Sequence, residues 1–353
     1  MECGTGGVTS SCTASIWYVI SKQAMNMKRN GLIYIVLLIL TSGCATSCQH
    51  SELPVVTDAV AIGFRSAIDN EGWIDRQPGN GRHADADSYS RGTLASVLYD
   101  SFGCWAGAYN ADGQWTGSSP MNLMYHREIK KAERYDTHAY WPGAGKKVRF
   151  FAYAPYALPA LVLPDHVTGN PKLVYTVPAE ITAQQDLLIA WTGAYDGDYN
   201  QPVDLKFRHA LTAIRFIDYD LPEGVVTGIT LGGVYSKASL TLGADGQEVW
   251  SGREIRRDFT VELNYRTSSV PESAAVINPS GEYFFMIPQA MEDPVTLTVR
   301  IRSLDGTETA YTTSLKGTGD WEMGKVANYR LRINNDILVV VESLGDWQDG
   351  GSL

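Results

Sequence analysis

Val295-Thr296-Leu297-Thr298-Val299-Arg300-Ile301 alternates apolar and polar side chains without a break. Successive side chains of a β-strand point to opposite faces. Period-two alternation therefore puts Val295, Leu297, Val299 and Ile301 on a core and turns Thr296, Thr298 and Arg300 toward water. Phe259-Thr260-Val261-Glu262-Leu263-Asn264-Tyr265 repeats the pattern, and Tyr329-Arg330-Leu331-Arg332-Ile333 does so again. Turn clusters stand between such runs: Gly243-Ala244-Asp245-Gly246, Asp305-Gly306-Thr307 and Lys316-Gly317-Thr318-Gly319-Asp320. Asp-Gly accepts the positive φ angles of tight hairpins. No long stretch carries a helical period, and 34 Gly and 15 Pro punctuate the chain. The fold class expected is all-β, built as antiparallel β-sandwiches.

Val203 to Ile217 (VDLKFRHALTAIRFI) is the longest of the strand-like runs. Apolar residues hold one phase at Val203, Leu205, Phe207 and Leu211, then switch phase at Ile214 and Phe216. A change of face inside one strand implies a β-bulge, here near Thr212. The run ends at Asp218-Tyr219-Asp220-Leu221-Pro222-Glu223-Gly224, a strong turn that marks a domain boundary. The expected division is a first domain over Thr57–Asp220 and a second over Leu221–Leu353. Each falls within the usual size of about 100–200 residues.

The chain is acidic, with a formal net charge of −10 and a pI near 5.1. That balance argues against nucleic acid as a partner. Hydrophobic residues make up 44% and charged residues 19%, a mixture that can bury real cores. Near the start, Lys28-Arg29 precedes Leu32–Leu40 (LIYIVLLIL) and then Thr41-Ser42-Gly43-Cys44. A basic segment, a short apolar run of roughly 7–15 residues and a small-residue cleavage site form a secretory signal. The run is shorter than the roughly 20 residues that span a bilayer as a helix. Cys44 directly after the small residues adds the signature of a lipidated cysteine, and Cys48 after Ala45-Thr46-Ser47 is a competing site. A plain cleaved signal with incidental cysteines is the other reading. Residues 1–24 then read as a start placed too far upstream, 25–43 as the lipoprotein signal peptide, and 44–56 as a tether containing Pro54. Beyond Cys48 only Cys104 remains, so the folded part has no disulfide framework. Cys104 reads as a small buried apolar residue rather than a reactive thiol.

Catalytic signatures are missing from the sequence. It contains no G-x-S-x-G, H-E-x-x-H, P-loop or dinucleotide glycine fingerprint. The six histidines lack metal spacing. His209, on the apolar face of its run, reads as a satisfied core histidine. Asp85-Ala86-Asp87 and Asp196-Gly197-Asp198 are short of the ligand count a calcium site needs, and read as solvated loops. Trp105, Trp115 and Trp191 fit either a sugar platform or a sandwich core. No cofactor and no metal is expected. Carboxylates paired in space remain open as a hydrolase reading.

Taken in order, several segments resemble the fimbrillin family of Bacteroidota surface lipoproteins, the subunits of type V pili and their relatives. They are the signal, Val60-Ala61-Ile62-Gly63-Phe64, Tyr140-Trp141-Pro142 with Val148–Tyr156, Gln185–Ala190 and Leu205–Leu211. Phe285-Met286-Ile287-Pro288-Gln289 and Trp321–Lys325 follow in the second half. The resemblance implies two tandem transthyretin-like β-sandwiches and a non-enzymatic fimbrial subunit or adhesin on the cell surface. Its partners would be other fimbrial subunits and, through the lipid, the outer membrane. It also implies assembly by donor-strand exchange: a protease cuts after a loop arginine, the first strand leaves, and another subunit's strand fills the groove. Here the removable strand would be Val60–Ile68, with Val60, Ile62 and Phe64 filling the groove. The cut would follow Arg91, with Arg76 and Arg82 as alternatives. The candidate donor is Ile337–Leu344, through Ile337, Val339 and Val341. After Trp347 the chain ends in a short polar tail, unlike the longer apolar segment of stalk subunits, which favours anchor, accessory or tip roles. The rival reading is a monomeric surface lipoprotein that binds glycans.

Overall fold

The computed structural model describes residues 60–68, 99–165, 167–243, 249–267, 275–278 and 283–346. Among them the regular elements are strands, apart from 3-10 turns at Lys131–Glu133 and Ile181–Ala183 and a 3-10 residue at Val249. The all-β expectation holds. The first ten strands are β1 (Ala61–Ile68), β2 (Ser101–Asn110), β3 (Met124–Lys130), β4 (Asp136–Tyr140), β5 (Lys146–Ala154), β6 (Leu161–Val162), β7 (Lys172–Thr176), β8 (Leu188–Trp191), β9 (Tyr195–Asp196) and β10 (Val203–His209). The rest are β11 (Thr212–Asp220), β12 (Val225–Thr241), β13 (Trp250–Arg266), β14 (Ala275–Val276), β15 (Phe284–Met286), β16 (Thr296–Arg302), β17 (Glu308–Ser314), β18 (Lys325–Asn334) and β19 (Ile337–Asp346).

The first sheet has the order β3-β2-β5-β8-β10-β1-β4, with β9 added to β5. Its two ends, β3 and β4, are neighbours in sequence. The Arg127 guanidinium donates to the Thr137 carbonyl and ties them together. The sheet therefore curls around one core of Ile62, Phe64, Phe102, Phe150, Leu205 and Phe207 with their neighbours. Alternation explains the other face. Trp105, Phe151, Tyr153 and Ile189 point the opposite way and join a second, larger core.

That second core lies between two further sheets. One has the order β14-β11-β18-β19, with β15 on β11; the other runs β17-β16-β12-β7-β6, with β13 on β12. Phe216, Tyr329 and Leu331 enter the core from the first of these, and Ile229, Leu231, Val299 and Ile301 from the other. β12 and β13 are 17 residues each and pair along most of their length. On its other side β12 pairs first with β16 and then, past Gly232-Gly233, with β7. Gly233 makes this change of partner possible. Its φ is +68°, and a Cβ there would lie 2.7 Å from the Pro294 carbonyl oxygen.

Two expectations need correction. Val203–Ile217 is not one bulged strand but two strands, β10 and β11, in different sheets. Three hydrogen bonds take the backbone where it crosses over: Ala210 N–H to the Leu187 carbonyl, Trp250 Nε1–H to the Ala210 carbonyl, and Gly324 N–H to the Leu211 carbonyl. The apolar phase changes because the chain changes sheet. The sheets are also not purely antiparallel, since β1 runs parallel to β10 and β11 parallel to β18. Parallel pairs need long connections, and both of these join strands far apart in sequence. Asp220, where the sequence places the division, ends β11, which pairs with β14 and β18.

Candidate functional site

Strand β1 lies between two neighbours. It pairs in parallel with β10 through five consecutive positions, from Phe64↔Val203 to Ile68↔Phe207. Toward β4 the pairing is thin, with Ala61↔Tyr140 and Gly63↔Asp136 separated by a register shift. Side-chain and main-chain bonds supplement it. Thr137 Oγ1–H donates to the Ile62 carbonyl at 2.6 Å, and Trp141 N–H donates to the Val60 carbonyl at 3.0 Å.

The strand holds its place mainly by two side chains. Ile62 and Phe64 are buried in the first core. The Phe64 ring meets Phe102 at 5.7 Å and Phe150 at 5.5 Å between centroids, both edge-on. Burying each such side chain is worth about 1.5–3 kcal/mol, and edge-on aromatic pairs add about 0.5–1.5 kcal/mol. On the outer face Arg65 pairs with its cross-strand partner Asp204 at 2.8 Å. An exposed pair of this kind contributes at most about 1 kcal/mol. Val60 is not a groove-filling residue: it precedes the strand and is 43% exposed.

The other segment singled out by sequence, Ile337–Leu344, lies within β19. This strand forms an edge, paired antiparallel with β18 alone in its sheet. The two strands are joined by Asn335 and Asp336, whose φ angles of 47° and 61° belong to a tight hairpin turn. Leu338 is buried, whereas Ile337, Val339 and Val341 are 64%, 40% and 57% exposed. An apolar row on an unpaired edge is an association surface. Cys44, Cys48, Arg76, Arg82, Arg91, Asp85 and Asp87 lie outside the described residues.

His209 is satisfied in the core, its Nδ1 lying 2.7 Å from Asp186 Oδ2. Cys104 is buried and free, and burial pushes its thiol pKa far up, away from thiolate chemistry. Asp196 forms an ion pair with Lys147. The three tryptophans separate. Trp105 is buried against His126 and Tyr153. The Arg208 guanidinium covers Trp191 at 3.8 Å. Trp115 lines an open cleft of about 480 Å³. Sequence reasoning missed a larger cleft, of about 660 Å³, lined by Tyr235, Arg253, Gln289, Asp320 and Glu322 over a floor of Trp250 and Trp321. Among the described residues no three His, Cys, Asp or Glu side chains converge as a metal-ligand set.

The sequence model of the fimbrillin-like family matches residues 100–347, and the chain belongs to this family. No curated protein matches it in sequence. Among solved structures, it is similar to a candidate cell adhesion protein of Bacteroides ovatus at 16% identity and a TM-score of 0.48, covering 83% of this chain and 99% of that one. A candidate cell adhesion protein of Bacteroides uniformis matches at 15% identity and a TM-score of 0.45, over 73% of this chain and 97% of that one. The tip fimbrial protein Mfa3 of Porphyromonas gingivalis, truncated at its C-terminus, matches at 12% identity and a TM-score of 0.36, over 74% and 96%.

Proposed function

We propose that the protein is a non-enzymatic cell-surface fimbrial subunit or fimbrillin-like adhesin that assembles by donor-strand exchange. Two tandem transthyretin-like sandwiches carry that function. Cys44, or Cys48 in its place, bears the lipid and anchors the chain to the outer membrane, with other fimbrial subunits as partners. Several acyl chains, at about 0.8 kcal/mol per buried methylene, make such an anchor stable. A cut after Arg91, or after Arg76 or Arg82, separates β1 from the rest.

The observation that carries this reading is the seating of β1. Ile62 and Phe64 fill the core, yet the pairing toward β4 is thin. Loss of β1 leaves an apolar slot and the unpaired edge of β10, a template for any strand with alternate apolar side chains. β19 offers such a row in Ile337, Val339 and Val341.

Trypsin-nicked protein is expected to assemble, or to bind a peptide spanning Ile337–Leu344, and Arg91→Ala protein treated identically to respond less. Nicked protein that sheds Val60–Ile68, stays monomeric and binds no such peptide refutes the exchange mechanism. Mass spectrometry of the mature N-terminus distinguishes Cys44 from Cys48, and an unmodified start beyond Cys48 removes the anchor.

A further inference from the structure

The cleft around Trp115 is built before any ligand arrives. Trp115 follows β2 in a loop over residues 111–123, and four contacts hold its indole, among them the Phe151 ring at 5.6 Å. Nε1–H donates to Asn170 Oδ1 at 3.0 Å. Tyr109 meets the ring edge-on at 5.6 Å. Beneath it lies Gly107, where a Cβ would stand 2.5 Å from the indole and 2.5 Å from the Pro120 carbonyl oxygen. The loop is also tied to the one that precedes β7. Pro120 bridges to Thr168, and Gly169 N–H donates to the Ser119 carbonyl at 2.7 Å. A half-buried tryptophan held this firmly presents a fixed apolar face to solvent.

Beside it stands Arg149, which leaves β5 on the same side. Its guanidinium carbon lies 5.8 Å from the centroids of both Trp115 and Phe151. Nε–H points to the Thr192 carbonyl at 3.4 Å. Among the described residues Arg149 has no carboxylate partner. The remaining lining is Thr116, Gly117, Thr168 and Asn170. Among the described residues the cleft therefore holds one positive charge, two hydroxyls and an amide, and no acid, in a chain whose net charge is −10.

We propose that this cleft binds a carboxylate-bearing sugar residue of a glycan. The C–H face of the ring packs on the Trp115 indole. The sugar carboxylate accepts from the Arg149 guanidinium, whose planar fork matches a carboxylate. Thr116, Thr168 and Asn170 supply donors and acceptors for ring hydroxyls. A small anion alone leaves the indole unused, and a neutral sugar leaves the arginine unpaired; the acidic sugar uses both. The inference does not rest on strand exchange, because the cleft and β1 share no residue.

The test is titration of the purified protein with two probes, a glucuronate-terminated and a sialate-terminated oligosaccharide. Each is compared with the same oligosaccharide whose carboxyl has been reduced to the alcohol. One acidic probe is expected to bind at least tenfold more tightly than its reduced counterpart. Arg149→Met should lose that margin, and Trp115→Phe should weaken binding several-fold, with thermal unfolding showing that both variants fold. The wild-type protein gives a second readout: the Trp115 indole N–H resonance, identified by its loss in Trp115→Phe, should shift on titration with the acidic probe. Failure of both acidic probes to bind at millimolar concentration, equal binding of acid and alcohol, or an unchanged margin in Arg149→Met overturns the proposal.

Discussion

The Asp186 carboxylate and the His209 imidazole meet at 2.7 Å inside the protein, one residue before the chain crosses from the first sheet into the second. Asp186 also receives the Tyr99 hydroxyl on its backbone carbonyl at 2.9 Å. The pair thus ties the loop before β8 to the end of β10. Replacing His209 with Phe takes this hydrogen bond from a buried acid and should cost about 1–3 kcal/mol. Adding Asp186→Leu should recover part of that loss, because an apolar pair needs no partner. Urea unfolding of the two single variants and the double variant measures this coupling. Additive losses would mean that the two side chains do not act as a unit.

Phe64→Ala opens a cavity where the ring met Phe102 and Phe150. Large-to-small changes at such aromatic sites cost about 3–5 kcal/mol. Val60→Ala, at an exposed position just before the strand, should stay within about 0.5 kcal/mol. Denaturation midpoints of the two variants give the comparison, and similar losses would place Val60 inside the groove after all.

Replacing Ile337, Val339 and Val341 together with Thr keeps a residue type that suits strands and removes the exposed apolar row. The unfolding midpoint should move little, whereas assembly of nicked subunits should fail. Size-exclusion chromatography before and after nicking reads both effects. Unchanged assembly would assign the donor to another strand.

Gly233→Ala forces a side chain into the left-handed region, which costs roughly 1–2 kcal/mol, and aims its Cβ at the Pro294 carbonyl. The expected result is a destabilisation above that figure, measured by chemical denaturation. A neutral outcome would show that the bend in β12 relaxes freely.

Acid should weaken the fold through His126. Its Nε2 lies 2.7 Å from the Tyr153 hydroxyl, its ring stacks on Tyr153 and Tyr156, and burial holds its pKa below the ordinary 6.5. The unfolded chain then takes up this proton first. The contribution is intact above pH 6.5 and is lost as pH falls from there toward the folded-state pKa. Unfolding midpoints measured from pH 8 to pH 5 should slope downward over that window. His126→Asn, which tolerates the 42° φ at this position, should flatten the slope.

Much of the strand inventory was legible because burial writes itself as period two. The run from Val295 to Ile301 became β16, and Ile62 and Phe64 declared the buried face of β1. Pairing was not legible. Ala210 and Leu211 are as buried as their neighbours and include no Gly or Pro, so the change of apolar phase is the local mark of the crossover, and a bulge within one strand would leave the same mark. Leu187, Trp250 and Gly324 impose it from distant parts of the chain. The hairpin at Asn335-Asp336 lacks the glycine that usually announces such a turn. Trp115 and Arg149 are 34 positions apart in the sequence, and only the return of β5 beside β2 brings them together.

The parallel seat of β1 separates order in the chain from order of construction. Strands β3, β2, β5, β8 and β10 form an unbroken ladder from residues 101–209, with no need of anything earlier. The segment synthesised first is therefore the one the sheet can receive last. What the seat specifies is a direction alongside β10, a register of five positions and two apolar side chains two positions apart. Those are terms of geometry and phase, and a strand brought by a neighbour would have to meet the same three.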